Sequence, residues 1–195
     1  MSVRNTSLRY GSVAMAFHWA IALLIITNVV LGLWLGEFME RGDPLKFSVA
    51  QWHKSIGLTV LVLSVLRVVW RLMNPHPAPP WTSPLMRNLS LASHYAFYFL
   101  IVAIPITGYV MASASPLGNG TEYFGLFTWP NLPFFDGMTR EQLHPIHETW
   151  EDAHVILAWS AIVLLPIHIG AALYHHFNLR DDVFKRMLPG TKVPS

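Results

Sequence analysis

The sequence predicts an all-α integral membrane protein, a four-helix transmembrane bundle, and three observations carry that expectation. Of the 195 residues, 53% are hydrophobic and 12% charged, against the roughly 25% charged residues of soluble domains. No Asp, Glu, Lys or Arg lies between Arg9 and Glu37, between Arg87 and Glu122, or between Asp152 and Arg180. Each interval exceeds the ~20 residues that a spanning helix needs. Lipid offers no partner to backbone N–H and C=O groups, so a spanning segment is a helix or a closed-barrel strand, and runs this long exclude the strand.

The helices are expected at about 13–36, 50–73, 90–113 and 149–176, within one transmembrane domain covering 1–195. The first is too long for a signal-peptide core, and no small-x-small cleavage pattern follows Leu31-Gly32-Leu33-Trp34. The second is the least clean, because Lys54 and Arg67 flank the apolar run Ile56 to Leu66; long basic side chains near helix ends reach out to the interface. Pro105 in the third and Pro166 in the fourth should kink their helices and free the carbonyls of Ile101 and Ile162. With no cysteine in the chain, disulfides, iron–sulfur clusters and Cys-x-x-Cys-His haem attachment are excluded.

Four spans put both termini on one side. That side carries Arg4, Arg9, Arg67, Arg71, Arg87, Arg180, Lys185, Arg186 and Lys192 against Asp181 and Asp182, a balance of +7. The other carries Arg41, Lys46, Lys54 and Arg140 against nine acidic residues, a balance of −5. Nine basic residues against four place both termini in the cytoplasm by the positive-inside rule. The linker from Asn74 to Pro84, with five prolines, reads as a stiff cytoplasmic connection with little helix. The segment from Ser113 to Glu148, which includes Tyr123-Phe124-Gly125-Leu126-Phe127-Thr128-Trp129, is long for a connection, and such loops are lids or other functional segments. An interfacial aromatic belt is the plainer alternative. Asn119-Gly120-Thr121 fits a glycosylation sequon, read here as chance in a chain of bacterial character.

The chemistry is in the histidines, because an ionisable side chain inside a membrane is a functional hypothesis by default. His154 and His168 are fourteen residues apart on one helix, which brings them within about 40° of one face and ~21 Å apart in depth. His18 is level with His168, and His53 with His154. Depth thus proposes an inner pair, His18 with His168, and an outer pair, His53 with His154. The same fourteen-residue step leads from His18 to Gly32, from His53 to Arg67 and from His94 to Gly108. The glycines would clear room for a planar macrocycle, and Arg67 would meet the propionates of the inner one. A lone intramembrane histidine is often a hydrogen-bonded core residue, but four at matched depths favour ligation. A metal-transport site would want intramembrane carboxylates, so two bis-histidine haems suit the pattern better. His94 lies as deep as His18 and competes as inner ligand. His175, seven residues after His168, could reach a propionate or a quinone, or simply the interface.

Together these stretches resemble the bacterial cytochrome b561 family over nearly the whole chain. Phe17-His18-Trp19, His53-Lys54-Ser55-Ile56-Gly57, Arg67-Val68-Val69-Trp70-Arg71, His94 with Pro105-Ile106-Thr107-Gly108, and His154 through His168 to His175-His176-Phe177 carry the resemblance. It implies two non-covalent haem b groups with ligands at His18, His53, His154 and His168, and electron exchange with membrane quinone. Some members act as superoxide oxidases that reduce ubiquinone. The expected partners are membrane lipid, ubiquinone as acceptor, and superoxide or a periplasmic redox protein as donor, with no nucleic acid. The expected place is the bacterial cytoplasmic (inner) membrane. The alternative role is a membrane-anchor subunit passing electrons between quinone and a partner redox protein. An outer face of −5 does not steer an anion inwards, which leaves Lys54, beside the outer ligand, and the more distant Arg140 as local cations. His94, His175 and Arg71 are the candidates for a quinone site at the cytoplasmic end, and Arg67 for a propionate partner.

Overall fold

A computed structural model of the chain describes residues 2–7, 9–40, 42–77, 83–118 and 120–191. Pro79 and Pro80 of the linker, Asn119 of the sequon, and Arg41 and Lys192 of the charge count lie outside the described residues. Helix α1 runs Ser12–Leu33 and ends in a wider π turn, Trp34–Phe38; α2 runs Lys46–Leu72; α3 runs Pro84–Ser113. A two-stranded hairpin follows, β1 Thr121–Tyr123 and β2 Phe127–Trp129. Helix α4 runs Arg140–Tyr174 and ends in a second π turn, His175–Leu179. These four helices, α1 and α4 taken with their π turns, are long and apolar enough to cross a membrane. Leu23, Val30, Val163 and Ile167 are more than half exposed, as side chains turned toward acyl chains are.

Two helix starts differ from the sequence expectation, and both have local causes. Helix α3 begins at Pro84 rather than near 90, because proline lacks the N–H that a first-turn residue would leave unpaired and has φ already set for a helix. Helix α4 begins at Arg140 rather than near 149. Thr139-Arg140-Glu141-Gln142 supplies one half of a capping box there: the Thr139 N–H donates to Gln142 Oε1 at 2.8 Å, while the Gln142 N–H donates to the Thr139 backbone carbonyl at 3.1 Å. At 35 residues, α4 is about 52 Å long and overreaches a ~30 Å hydrocarbon core by several turns.

The chain forms two compact units. The terminal unit gathers the described residues of Met1–Ala22, Leu63–Phe99 and Ser160–Ser195, and the hairpin unit those of Leu23–Val62 and Leu100–Trp159. In the terminal unit the described N-terminal and C-terminal segments are tied down. The Asn5 amide donates to the Pro75 carbonyl at 2.9 Å, the Arg9 guanidinium donates to the carbonyls of Leu188 and Thr191, and Trp19 Nε1 donates to the Met187 carbonyl at 2.7 Å.

In the hairpin unit the segment expected to be an aromatic loop is a pinned hairpin, with Thr121 opposite Trp129 and Tyr123 opposite Phe127. Its turn uses positive φ at Phe124 (49°) and Gly125 (70°), the backbone sense that matches strand twist. Helix α2 satisfies the free hairpin edge from one face, i, i+4, i+8. Gln51 Nε2 donates to the Gly120 carbonyl and its Oε1 accepts from the Glu122 N–H; Ser55 Oγ accepts from the Phe124 N–H; Thr59 Oγ1 bonds the Tyr123 hydroxyl. Gln51 is 8% exposed and Ser55 fully buried, so losing either would strand buried backbone groups.

Candidate functional site

The hairpin unit turns His53 of α2 toward His154 of α4, with ring centroids 6.2 Å apart and planes at 82°. Both imidazoles are seated in the same way on a neighbouring helix. His53 Nδ1 lies 3.2 Å from the Asn28 carbonyl of α1, and a Cβ added at Gly32, four residues on, would stand 3.1 Å from His53 Cε1. His154 Nδ1 lies 3.0 Å from the Ile104 carbonyl of α3, and a Cβ at Gly108 would stand 3.0 Å from His154 Cε1 and 3.1 Å from its Nδ1. Each glycine thus opens a helix face so that a ring can reach the carbonyl one turn back. Thr107 Oγ1 adds a second contact to His154 Nδ1 at 3.1 Å. A ring that gives Nδ1–H to a carbonyl keeps Nε2 bare, the tautomer a metal ligand needs. Sequence spacing singled out Gly32 and Gly108 as room for a macrocycle; in the structure the nearest occupants of that room are the imidazoles. The roles of Asn28 and Ile104 were not expected, since a backbone carbonyl leaves no mark in sequence. A Gly four residues after a kinked or polar position is the nearest signal.

The terminal unit turns His18 of α1 toward His168 of α4, with centroids 6.5 Å apart and planes at 66°. Its surroundings differ. His18 Nδ1 is buried with no hydrogen-bond partner among the described residues. His168 packs edge-on against Phe97 at 4.9 Å and also has His94 at 6.3 Å. His94 is exposed, and its Nδ1 is held by the Ser90 carbonyl at 2.6 Å. By distance alone, either His18 or His94 can share a metal with His168. Arg67 and Arg71 stack over the Tyr98 ring, 5.7 and 4.9 Å from its centroid, and neither has a carboxylate partner among the described residues. His175 is buried in the π turn that ends α4, its Nδ1 2.5 Å from Asp181 Oδ2. Sequence reading missed Asp181 as its partner, because a π turn and an Arg180 in left-handed backbone (φ 54°) bring it back. Lys54 is half-buried next to His53.

The fit of a haem can be tested on these distances. An imidazole nitrogen sits about 2 Å from a bound metal, so two rings across one metal have centres roughly 6 Å apart. The 6.2 and 6.5 Å pairs match that span. Among the described residues no group of three or more His, Cys, Asp or Glu side chains could hold an ion, and a site offering two imidazoles suits iron whose other four ligands come from a porphyrin.

Spanning helices with facing histidines supplied from different helices define a class: membrane proteins that ligate haem iron. The chain belongs to the prokaryotic cytochrome b561 family, whose model matches residues 9–190. It is 38% identical over 189 residues to cytochrome b561 homolog 2 of Escherichia coli, covering 96% of this chain and 95% of that one. It is 27% identical to a probable superoxide oxidase CybB of Yersinia pestis, over 93% of this chain and 96% of the relative. It is 25% identical to cytochrome b562 of Cereibacter sphaeroides, over 92% of this chain and 94% of the relative. It is accordingly a bacterial membrane cytochrome that binds b-type haem and transfers electrons across the membrane.

Proposed function

We propose that the protein carries two haem b groups, one between His53 and His154 and one between His18 and His168, and passes single electrons from a periplasmic donor to ubiquinone. It would sit in the bacterial inner membrane with both termini cytoplasmic, so that the hairpin unit faces the periplasm. The observation that carries the reading is the two facing imidazole pairs at the span of a shared iron. His53 with His154, and His18 with His168, would each hold a haem, which would supply a one-electron carrier suited to outer-sphere electron transfer.

The chain's own residues supply the rest. Asn28, Ile104 and Thr107 fix the tautomers of the periplasmic-side ligands, and the hairpin is bonded to Gln51 and Ser55, which flank His53 on α2. Arg67, with no carboxylate partner, is the propionate partner of the other site. His94, Arg71 and the His175–Asp181 pair are the groups for a quinone: a buried imidazole held on a carboxylate can hand over and recover a proton while staying in place. A relative named as a probable superoxide oxidase suggests superoxide as the donor, for which Lys54, beside the ligand His53, is the local attractive charge on an otherwise acidic face.

The test is a pyridine haemochrome count on the pure protein followed by stopped-flow reduction with a superoxide source, with and without ubiquinone. Two haems per chain, reduced by superoxide and reoxidised by quinone, are expected. One haem refutes the two-site assignment. No reduction by superoxide at any salt concentration refutes that donor.

A further inference from the structure

Several buried polar side-chain atoms of the terminal unit have no hydrogen-bond partner among the described residues, and two of them bear on the histidine pair: His18 Nδ1 and the hydroxyl of Ser64, which is 0% exposed. A buried polar group left unpaired costs about 1–3 kcal/mol, and within hydrocarbon no bulk water relieves it. A serine or threonine in a helix commonly returns its proton to the carbonyl one turn back. On this same helix Ser55 does so to Gln51 at 2.7 Å and Thr59 to Ser55 at 2.8 Å. Ser64 does not, and among the described residues its hydroxyl has no other partner either.

The register says where it is. Ser64 follows His53 by eleven residues on α2, which at 100° per residue returns it to within about 20° of the face that carries the ligand His53. It stands eight residues before the end of α2 at Leu72, and His18 six residues after the start of α1 at Ser12. At about 1.5 Å per residue, Ser64 thus lies about 12 Å and His18 about 9 Å in from its own helix end. Both belong to the terminal unit.

We propose that Ser64 is a positioning residue of the terminal-side haem site: His18 Nδ1–H donates to one ordered water, and that water donates to the Ser64 hydroxyl oxygen. The first of these bonds holds the tautomer in which Nε2 faces iron. Buried water is the usual partner of such orphaned pairs. The proposal rests on the haem reading above. It gives His18 by a side chain what His53 and His154 obtain from backbone carbonyls, and removing an acceptor from a ligand's Nδ1–H makes that ligand less basic and the ferric state less favoured.

The experiment uses the full-length haem-loaded protein with Ser64→Ala, and assigns the terminal-side signals through His154→Ala, which keeps only that haem. The expected result is two haems still bound, an upward shift of the terminal-side midpoint potential alone, and a changed low-spin ferric EPR signal for that haem alone. Unchanged potentials and EPR with a raised melting temperature would overturn the proposal, since the substitution would then only have removed an orphaned hydroxyl. Loss of the terminal-side haem in His94→Ala with its retention in His18→Ala would overturn it too. Failure of the underlying reading is separate: the wild-type protein would then bind one haem or none.

Discussion

The two histidine pairs are alike in span and unlike in support. The hairpin-side imidazoles are each laid against a glycine and bonded at Nδ1 to a backbone carbonyl, with Thr107 as a further partner to His154. The terminal-side pair has a His18 Nδ1 with no direct protein partner among the described residues, a rival imidazole in His94, and two guanidinium groups stacked on Tyr98. One site is built by close approach of backbones; the other is built from side chains and charge. Carbonyl acceptors make axial ligands more basic and favour ferric iron, whereas unpaired cations favour the reduced, less positive state. The proposed carriers should therefore differ in potential, with the terminal-side haem the higher and electrons running toward it.

The largest expected effect is on haem content. His154→Ala should lower the pyridine haemochrome count from two per chain to one and leave the terminal-side spectrum intact, and His18→Ala should do the reverse. A full terminal-side complement in His18→Ala would hand that ligand to His94 and end the symmetry of the two pairs.

Next comes the close approach itself. Gly108→Ala puts a Cβ about 3 Å from the His154 ring, an overpacking worth roughly 1–3 kcal/mol. The ring should be pushed off the Ile104 carbonyl and the hairpin-side haem selectively lost. Gly170→Ala is the matched control, because nothing lies within 4 Å of its added Cβ; haem content should not change. Equal losses in both variants would show that the glycines matter for helix packing in general and not for the ligand.

A redox titration sharpens the electrical half of the comparison. Two waves are expected, the upper belonging to the haem that survives in His154→Ala, and Arg67→Gln should move that upper wave down. A reversed order would mean that burial outweighs the arginines.

The smallest effect should come from the hairpin. Gln51→Ala removes two bonds to Gly120 and Glu122 and should cost about 1–3 kcal/mol locally. Hydrogen exchange at Glu122 and Thr128 should quicken while the terminal unit is unaffected. Faster reduction by an external donor in the same variant would identify the hairpin as a cap over the proposed hairpin-side haem.

Much of this was legible in the sequence because lipid imposes one-dimensional rules. A charge-free run longer than a bilayer is thick has to be a helix, which is why the first three charge-free intervals located α1, α3 and α4 before any coordinates. Histidines fourteen residues apart share a face by helix geometry, which is why the two pairs could be drawn from depth alone. The start of α4 was also written in the chain, in the Thr139–Gln142 half of a capping box, but that signal is short and lies inside a polar stretch that reads as loop.

What sequence could not decide are contacts made by backbone atoms and by distant partners. The acceptors for His53 and His154 are carbonyls, identical at every residue, and only the packing of α2 on α1 and of α4 on α3 selects Asn28 and Ile104. The hairpin needed the face of α2 at Gln51, Ser55 and Thr59 to satisfy its edge, some seventy residues away in the chain. Asp181 meets His175 only because α4 widens into a π turn and Arg180 reverses the backbone. Periodicity fixes which face a residue occupies; only tertiary packing fixes what that face touches, because hydrogen bonds are decided over tenths of an ångström and helix register is not.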